Sequence, residues 1–581
     1  MIMNTKKIKG ALASIIMCVT LNACYELDLS PTTQLSPSTF WKTDEHAKQA
    51  IMACYQALKW NETYYRFFAM DCISDVATGY DEPGYWDFSR GVWTARNGVV
   101  QNRWTHSYDG VARVNMALKS LNEASGISTQ VRSEIEGEGK FLRALYYFFL
   151  LNHFGGVPLY DETYDYNRDY MNMTLPRSSE EDTRLFILKD LDDAIEKLPV
   201  KWVDSDYGRA TKGAAYALRG RVYLYNKQYE LAKQDFEEIV LDPSKLGYNY
   251  GLHPNYAELF TPIADQSSEM IFAVQNHATT ALSLGMPYAW YMGSNACVGV
   301  SWNNVMPDVQ LVDRYELKDG KPFDWDDFIP GFNNSVEIRE KTFMATLSDD
   351  KKTVVKYPEY YEQLLNMYEQ RDPRMQQTII LPYTHYIGVL GGEPKDYLYV
   401  VASGVTTSNG FIVVNRGYKT YLFRKFVPEG LMNGMITNSQ RSSIPINFPI
   451  IRYADILLML AECYNELGNV DEAIKYINVV RQRPSTNLPA LNSGPIWLEA
   501  RTKEDVFKRI YQERAVEFPA EGLRYYDLKR WNLLDDVQNS PELDFLGSSI
   551  YVNKFENKDY YWPIPQQELD RNPNLAQNPG W

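Results

Sequence analysis

Five tryptophans sit where the local sequence breaks regular structure. Trp86 and Trp93 lie in and just after Tyr80-Asp81-Glu82-Pro83-Gly84-Tyr85-Trp86-Asp87, and Trp290 lies in Pro287-Tyr288-Ala289-Trp290-Tyr291. Trp302 lies in Gly299-Val300-Ser301-Trp302-Asn303-Asn304, and Trp325 follows Gly320-Lys321-Pro322. Gly, Pro and Asn in such runs mark loops. A sugar ring has an apolar C–H face and an equatorial fringe of hydroxyls. A flat aromatic stacks on the first, while Asn, Asp or Arg bonds the second. Trp86, Trp290 and Trp302 are therefore expected to form an aromatic platform for a glycan. Trp325, Trp93 and Tyr291 are expected as further contacts. The competing reading is that these rings only pack their own loops.

The carboxylates suggest a different chemistry. Glu462, Glu513, Glu517 and Asp527 lie in helical segments that also carry Arg452, Arg514, Arg524 and Arg530. Glycoside hydrolysis needs two carboxyls flanking one bond, ~5–10 Å apart. Ion pairs between helices explain these four better, so no catalytic residue is expected. Asp324, Asp326 and Asp327 do not have the spacing of an EF-hand loop and read as a solvated acidic turn. The six His are scattered, and no metal, P-loop or nucleophile-elbow motif is present. No metal or cofactor is expected. A Cys54–Cys72 disulfide is compatible with the sequence, which does not require it.

Helices must hold these loops. Asp44–Trp60 carries Ala47, Ala50, Ile51, Cys54 and Leu58 at a spacing of three and four residues, the pattern of an amphipathic helix. Val111–Leu121, Ile135–Phe154 and Leu185–Leu198 continue it, the second stopped by Gly155-Gly156-Val157-Pro158. Two stretches have the offsets of a tetratricopeptide helix–turn–helix. In 216–243 these are Gly220, Tyr223, Ala232 and Phe236; in 457–484 they are Leu457, Leu460, Ala461, Tyr464, Ala473 and Ile477, with Gly468-Asn469 as the turn. Arg219 stands where the repeat prefers Leu, with Leu218 beside it to fill the place. Between the repeats, residues 250–445 are rich in Gly, Pro, Asn and Tyr. Helical periodicity fades there except around Tyr357–Tyr368, and β-like runs appear at Tyr397–Val401 and Gly410–Val414. Trp104, Trp531 and Trp562 lie in helix or tail segments and are expected in the core.

The N-terminus reads as an address. Lys6, Lys7 and Lys9 precede an apolar run from Gly10 to Leu21, which is too short to span a bilayer and right for a signal-peptide core. Leu21-Asn22-Ala23-Cys24 follows and resembles a bacterial lipobox, so Cys24 is the expected site of lipid attachment. Tyr25 after it, in place of the Asp that retains lipoproteins at the inner membrane, favours the outer membrane. The expected protein is anchored to a membrane rather than spanning it.

Composition narrows the partners. The chain has 581 residues, 59 basic and 74 acidic, for a formal net charge of −15. It has no Lys/Arg run beyond the first ten residues, so it lacks the phosphate-neutralising surface that nucleic-acid binding needs. Tyr outnumbers Phe by 43 to 24. That excess suggests surfaces apolar on one side and hydrogen-bonding on the other, with most Tyr packed between helices and their hydroxyls at the rim.

Several motifs together resemble the SusD/RagB-like family of outer-membrane nutrient-uptake lipoproteins. They are Arg452-Tyr453-Ala454-Asp455-Ile456-Leu457-Leu458-Met459-Leu460-Ala461-Glu462, the set Glu513-Arg514, Glu517-Phe518, Glu521-Gly522, Arg524, Asp527-Leu528 and Arg530-Trp531, and a tail with Trp562-Pro563-Ile564-Pro565 and Gln577-Asn578-Pro579-Gly580. Ser74-Asp75, Arg143-Ala144-Leu145-Tyr146-Tyr147, Phe154-Gly155-Gly156-Val157-Pro158-Leu159 and Arg371-Asp372-Pro373-Arg374 fit as well. The resemblance implies a non-enzymatic cell-surface protein. Such a protein captures a glycan, or sometimes a peptide, and delivers it to a SusC-like TonB-dependent transporter. It also implies aromatic residues in the ligand-binding loops and tetratricopeptide helices facing the transporter.

The expected fold is mainly α: a tetratricopeptide-like helical scaffold with long irregular insertions and a few short strands. Residues 1–23 are the signal, 24–43 the lipidated Cys and tether, and 44–581 one domain. Within it the scaffold covers roughly 44–250 and 450–535, the ligand-binding region 250–445 plus the loop 75–100, and the tail 536–581. The alternatives are the same architecture binding peptides or another nutrient, and, behind that, a glycoside hydrolase.

Overall fold

The computed structural model describes residues 40–169, 173–241, 247, 249–277, 285–299, 301–436 and 442–581. The signal segment, Cys24 and nearly all of the tether lie outside the described residues. The helices form where the apolar spacing places them; the first stops at Gln56, short of the expected Trp60, while the next three begin earlier than the periodicity alone marks. α1 is Asp44–Gln56, with Ala47, Ile51 and Cys54 on its buried face and the Thr43 hydroxyl as its N-cap. α2 is Gly98–Glu123 and α3 is Thr129–Phe154. Ser128 caps α3 by accepting from Val131 N, and Gly155 ends it at φ +75°. α4 is Glu180–Lys197.

α5 (Lys212–Tyr225) and α6 (Tyr229–Val240) make the first repeat, and α7 (Tyr453–Glu466) and α8 (Val470–Arg481) the second. Gly220 is the point of close approach: a Cβ there would stand 2.6 Å from the Phe236 ring. Leu218 is fully buried, whereas Arg219 turns outward and pairs with Asp192 and Asp235, each at 2.6 Å. The departure from the repeat is thus absorbed by its neighbour. α7 packs on α6 as well as on α8, joining the two repeats across more than 200 residues of sequence. α9 (Lys503–Glu517) and α10 (Arg524–Trp531) complete the scaffold.

The strands of the described residues pair only two at a time. β1 (Ala77–Gly79) is antiparallel to β3 (Val305–Pro307), β2 (Met270–Val274) to β4 (Phe448–Arg452), and β5 (Pro541–Leu543) to β6 (Ser549–Val552). The first expected β-run, Tyr397–Val401, is strand only at Tyr397 and Leu398, the end of the second arm of a hairpin, His385–Gly388 with Lys395–Leu398. The second supplies only a bridge between Phe411 and Leu398. The isolated helix is Tyr361–Glu369.

The surplus Tyr is used inside the protein and not only at the rim. Tyr146 and Tyr147 are fully buried, and their hydroxyls donate to the carbonyls of Cys54 and Tyr160 at 2.8 and 3.0 Å. Tyr256 likewise donates to the Glu517 carbonyl at 2.8 Å. In each case the hydroxyl, buried with its ring, finds an acceptor, as buried polar groups do. Cys54, Cys72, Cys297 and Cys463 are buried free thiols, so Cys54 and Cys72 are not joined.

The motif charges form the polar centre of the scaffold, as expected. Buried Arg452 holds Glu269, Glu517 and Glu521 at 2.8 Å each. Glu513 meets Arg374 at 2.7 Å and Arg481 at 3.2 Å. Arg514 bridges Asp455 and Asp527, Arg530 bridges Glu462 and Asp527, and Arg524 holds Asp75 at 2.7 Å. Trp104 and Trp562 are buried, and Trp531 packs on Phe507 and Tyr511.

Candidate functional site

The pairing of β1 with β3 sets Gly79 opposite Val305 and so brings the loop after Gly79 against the loop before Val305. Two glycines let the first loop fold back on the strands. A Cβ on Gly79 would lie 2.4 Å from Gly84 Cα, and one on Gly84 would lie 2.9 Å from the Asn304 carbonyl. Asn304 Nδ2 donates to the Asp81 carboxylate, and Asp81 O accepts from the Gly84 and Trp86 amides at 3.0 and 3.1 Å. The side-chain bond ties two distant loops together, and the backbone bonds close the first loop on itself.

Trp302 is held from three directions. Its amide donates to the Trp290 carbonyl at 2.9 Å, and its carbonyl accepts from the Tyr80 hydroxyl at 2.7 Å and from Asn415 Nδ2 at 3.2 Å. Asn415 Nδ2 also reaches the Tyr80 hydroxyl at 3.0 Å, and its amide donates to Asn303 Oδ1 at 2.9 Å. Trp290 and Tyr291 sit on a one-turn helix, Tyr288–Tyr291, anchored by buried Tyr288 stacked on Phe426 at 4.8 Å. The Trp290 and Trp302 rings meet edge to face, 5.4 Å apart at 89°, and Tyr291 lies alongside Trp290 at 6.0 Å and 25°. The Trp302 side is open: the residue is 39 % exposed, while Trp290 and Tyr291 are partly exposed.

The fourth wall comes from a segment the sequence did not single out. Exposed Arg416 lies 4.5 Å over the Tyr80 ring, and Tyr418 packs on Tyr80 at 5.5 Å. Burial pushes the Tyr80 phenol up to about 12, so it stays a hydrogen-bond donor at neutral pH. The signal was present in Asn415-Arg416-Gly417-Tyr418, a Gly turn carrying an Arg and an aromatic. The arrangement offers flat apolar faces beside amide, phenol and guanidinium donors, and no group of His, Cys, Asp and Glu that could hold a metal is found among the described residues.

The sequence model of the SusD family matches residues 268–581, more than half of the chain, and one described as "Starch-binding associating with outer membrane" matches residues 27–224. This chain belongs to the SusD family. Among relatives of the SusD family, SusD-like protein P38 of Formosa agariphila is 25 % identical, with 99 % of each chain covered. Starch-binding protein SusD of Bacteroides thetaiotaomicron is 23 % identical over 79 % of this chain and 75 % of its own. A solved SusD-like carbohydrate binding protein from Bacteroides fragilis superposes with a TM-score of 0.74 at 24 % identity, covering 93 % of this chain and all of that one. Surface glycan-binding protein A from Bacteroides thetaiotaomicron, solved in complex with laminarihexaose, superposes with a TM-score of 0.64 at 19 % identity, covering 92 % and 99 %. The helical scaffold with few short strands is thus the SusD fold.

Within this SusD-family chain the other expected contacts lie apart from the Trp290–Trp302 corner. Trp86 starts the turn Trp86–Ser89, but its ring rests on Tyr551 at 5.0 Å and under Arg90 at 4.7 Å. The three indoles therefore do not make one continuous stack. Trp93 is buried at 6 % exposure, stacked on Phe88 at 4.2 Å and edge-on to Trp581 at 4.5 Å. Trp325 is buried at 5 %, stacked on Phe332 at 4.0 Å with its Nε1 donating to Asp313 at 2.8 Å. Both are packing residues: nearby Phe332 closes over Trp325, and nearby Phe88 together with Trp581 from the far end of the chain closes over Trp93. Asp324 caps its own turn and accepts from Asn333, while Asp327 pairs with Lys321 at 2.6 Å, so this acidic turn is structural.

Behind β3 lies a buried carboxyl pair. Asp308 caps the helix Val309–Arg314 and faces Glu542 on β5. Burial, then the neighbouring Glu542 charge, pushes Asp308 well up, and burial pushes Glu542 up to about 7. An acid raised in the folded state holds a proton that the unfolded chain has lost. Stability from this pair is present below the ordinary carboxyl range and fades as pH rises through about 7. Asp308→Asn keeps the cap and removes one of the two charges. It is expected to leave stability unchanged below about pH 4, raise it by about 1–2 kcal/mol at pH 8 and flatten the slope between. Thermal melts of both proteins across that range decide; a variant that parallels wild type at every pH rules out the pair as the source.

Proposed function

We propose that this chain is a non-enzymatic surface lipoprotein that captures a glycan on the corner made by Trp302 and Trp290, with Tyr291, Tyr80 and Arg416 beside it. It would pass the glycan to a SusC-like TonB-dependent transporter in the outer membrane. The carrying observation is Trp302: a large apolar face left open on a loop whose backbone is fixed by three hydrogen bonds. Ordering a loop costs binding free energy, and this loop is already ordered. Family membership and the glycan-binding names of its structural neighbours support the ligand class. The motif carboxylates support the non-enzymatic part, since each is already engaged by Arg. Affinity electrophoresis through a panel of neutral polysaccharides is the test. Wild type is expected to be retarded by at least one, and Trp302→Ala to lose that retardation while melting like wild type. Equal retardation of the two proteins removes the site.

The anchor is part of the same proposal. Cys24 lies outside the described residues, and the lipobox-like Leu21-Asn22-Ala23-Cys24 supports it as the lipidated residue. Cys24→Ala is expected to release the protein from the membrane fraction. Mass spectrometry of the mature wild-type N-terminus should show a lipid-bearing Cys; a mature chain starting at Tyr25 overturns the anchor.

A further inference from the structure

A cavity of about 700 Å³ lies remote in sequence from the aromatic corner. It is walled by the ends of α3, α4, α5 and α10 and by the C-terminal tail. Its size falls in the range of small-molecule sites. Its charge is opposite to that of the chain. Arg184, Lys529, Arg530 and Lys558 line it against one carboxylate, Glu180, in a protein with a net charge of −15.

Three of the four cations are spoken for. Arg530 holds Glu462 and Asp527, Arg184 holds Glu181, and Lys558 holds Glu556 at 2.5 Å. Those partners are not on the cavity wall. Lys529 differs: its ammonium donates to the Asn152 carbonyl and lies 4.4 Å over the Tyr561 ring, with no carboxylate of the described residues at ion-pair distance. Glu180, the one acid nearby, accepts from the Tyr561 hydroxyl at 2.9 Å. A half-buried ammonium facing a cavity is stabilised by an anion in that cavity. The rest of the wall fits a sugar. Tyr225, Tyr526, Tyr560 and Tyr561 line it with apolar ring edges or faces, and the amides of Asn226, Asn532 and Asn557 make no side-chain hydrogen bond to described residues.

We propose that this cavity is a second ligand site that takes a sugar acid of one or two rings, its carboxylate on Lys529. The site is independent of Trp302 and stands or falls separately from glycan capture there. Burial pushes the free Lys529 ammonium down to about 7, so an arriving carboxylate would draw a proton onto it.

Isothermal titration with D-glucuronate, D-galacturonate and digalacturonate, against glucose and inorganic phosphate, tests this at pH 7.5 in two buffers of different ionisation enthalpy. At least one acid is expected to bind with proton uptake, glucose not to bind, and phosphate to bind more weakly. Lys529→Met keeps the apolar stem and removes the charge. It is expected to weaken the acid about tenfold or more and to abolish proton uptake, with retention on neutral polysaccharide unchanged. No binding of any acid, phosphate binding as tightly as the acids, or an unchanged Kd in the variant overturns the site. If the variant does not fold, acid binding to wild type without proton uptake overturns it equally.

Discussion

Arg452→Met is expected to lower the free energy of unfolding by about 3–5 kcal/mol, the usual result of breaking one side of a buried ion pair. Arg452 sits in a cluster with six basic side chains (Arg374, Lys425, Arg452, Arg481, Arg483, Arg509) and six carboxylates (Glu269, Glu316, Asp372, Glu513, Glu517, Glu521). Nearly all are buried, and the formal charges balance. Burial alone would raise the Glu517 carboxyl, but Arg483, Arg452 and Arg374 outweigh it and hold it well below the usual carboxylate range. Methionine fills the volume of the Arg stem, so the loss is electrostatic. It leaves six carboxylates facing five cations and removes one of the three donors to the Glu517 carbonyl, leaving Tyr256 and Lys425. Denaturant titration followed by tryptophan fluorescence measures it. Arg452→Met with Glu521→Gln restores the charge balance and should recover part of the loss. A single-variant loss below about 1 kcal/mol would mean that the cluster tolerates a missing charge and is not the fixed polar centre described above.

The second large effect is on binding. Trp302→Ala is expected to weaken glycan binding about tenfold to a hundredfold, ~1–3 kcal/mol. Sugar hydroxyls are well hydrated, so their hydrogen bonds to protein yield little net affinity. Covering the apolar ring face yields ~25 cal/mol per Å² without removing the hydroxyls from water. The indole of Trp302 is the open part of the corner, whereas the bonds that fix its loop come from its backbone. The variant should therefore lose the stacking face and keep the loop. A variant that binds like wild type, or one that loses its thermal transition, would assign Trp302 to packing.

The scaffold was legible because helix burial repeats every three to four residues and the sequence carries that period in α1 to α8. The ends were less legible: caps such as Ser128 lie outside the apolar pattern, α2 starts thirteen residues before its expected Val111, and α1 stops before its expected Trp60. The Arg–Glu pairing was legible for a similar reason, as so many unlike charges within helical motifs have few ways to be buried. The site was half legible. Gly and Asn around Trp302 marked a loop correctly, and the same cue misled at Trp325 and Trp93. Flanking Gly and Pro report backbone shape and not exposure. Trp581, which covers Trp93, is recruited from the far end of the chain by tertiary packing, whereas Phe332 reaches Trp325 from the next helical turn. Arg416 and Tyr418 reach Tyr80 from more than 330 positions away, a meeting set by tertiary contacts and by no local period.

The right angle between Trp290 and Trp302 also selects among polymer shapes. Two coplanar indoles would suit a flat ribbon, whose successive rings present parallel faces. Perpendicular indoles joined edge to face do not. A ribbon laid on one meets only the rim of the other, whereas a chain that turns between neighbouring sugars can press a face on each. The corner would thus reward curvature, and a bent oligosaccharide would gain over its linear isomer of identical composition.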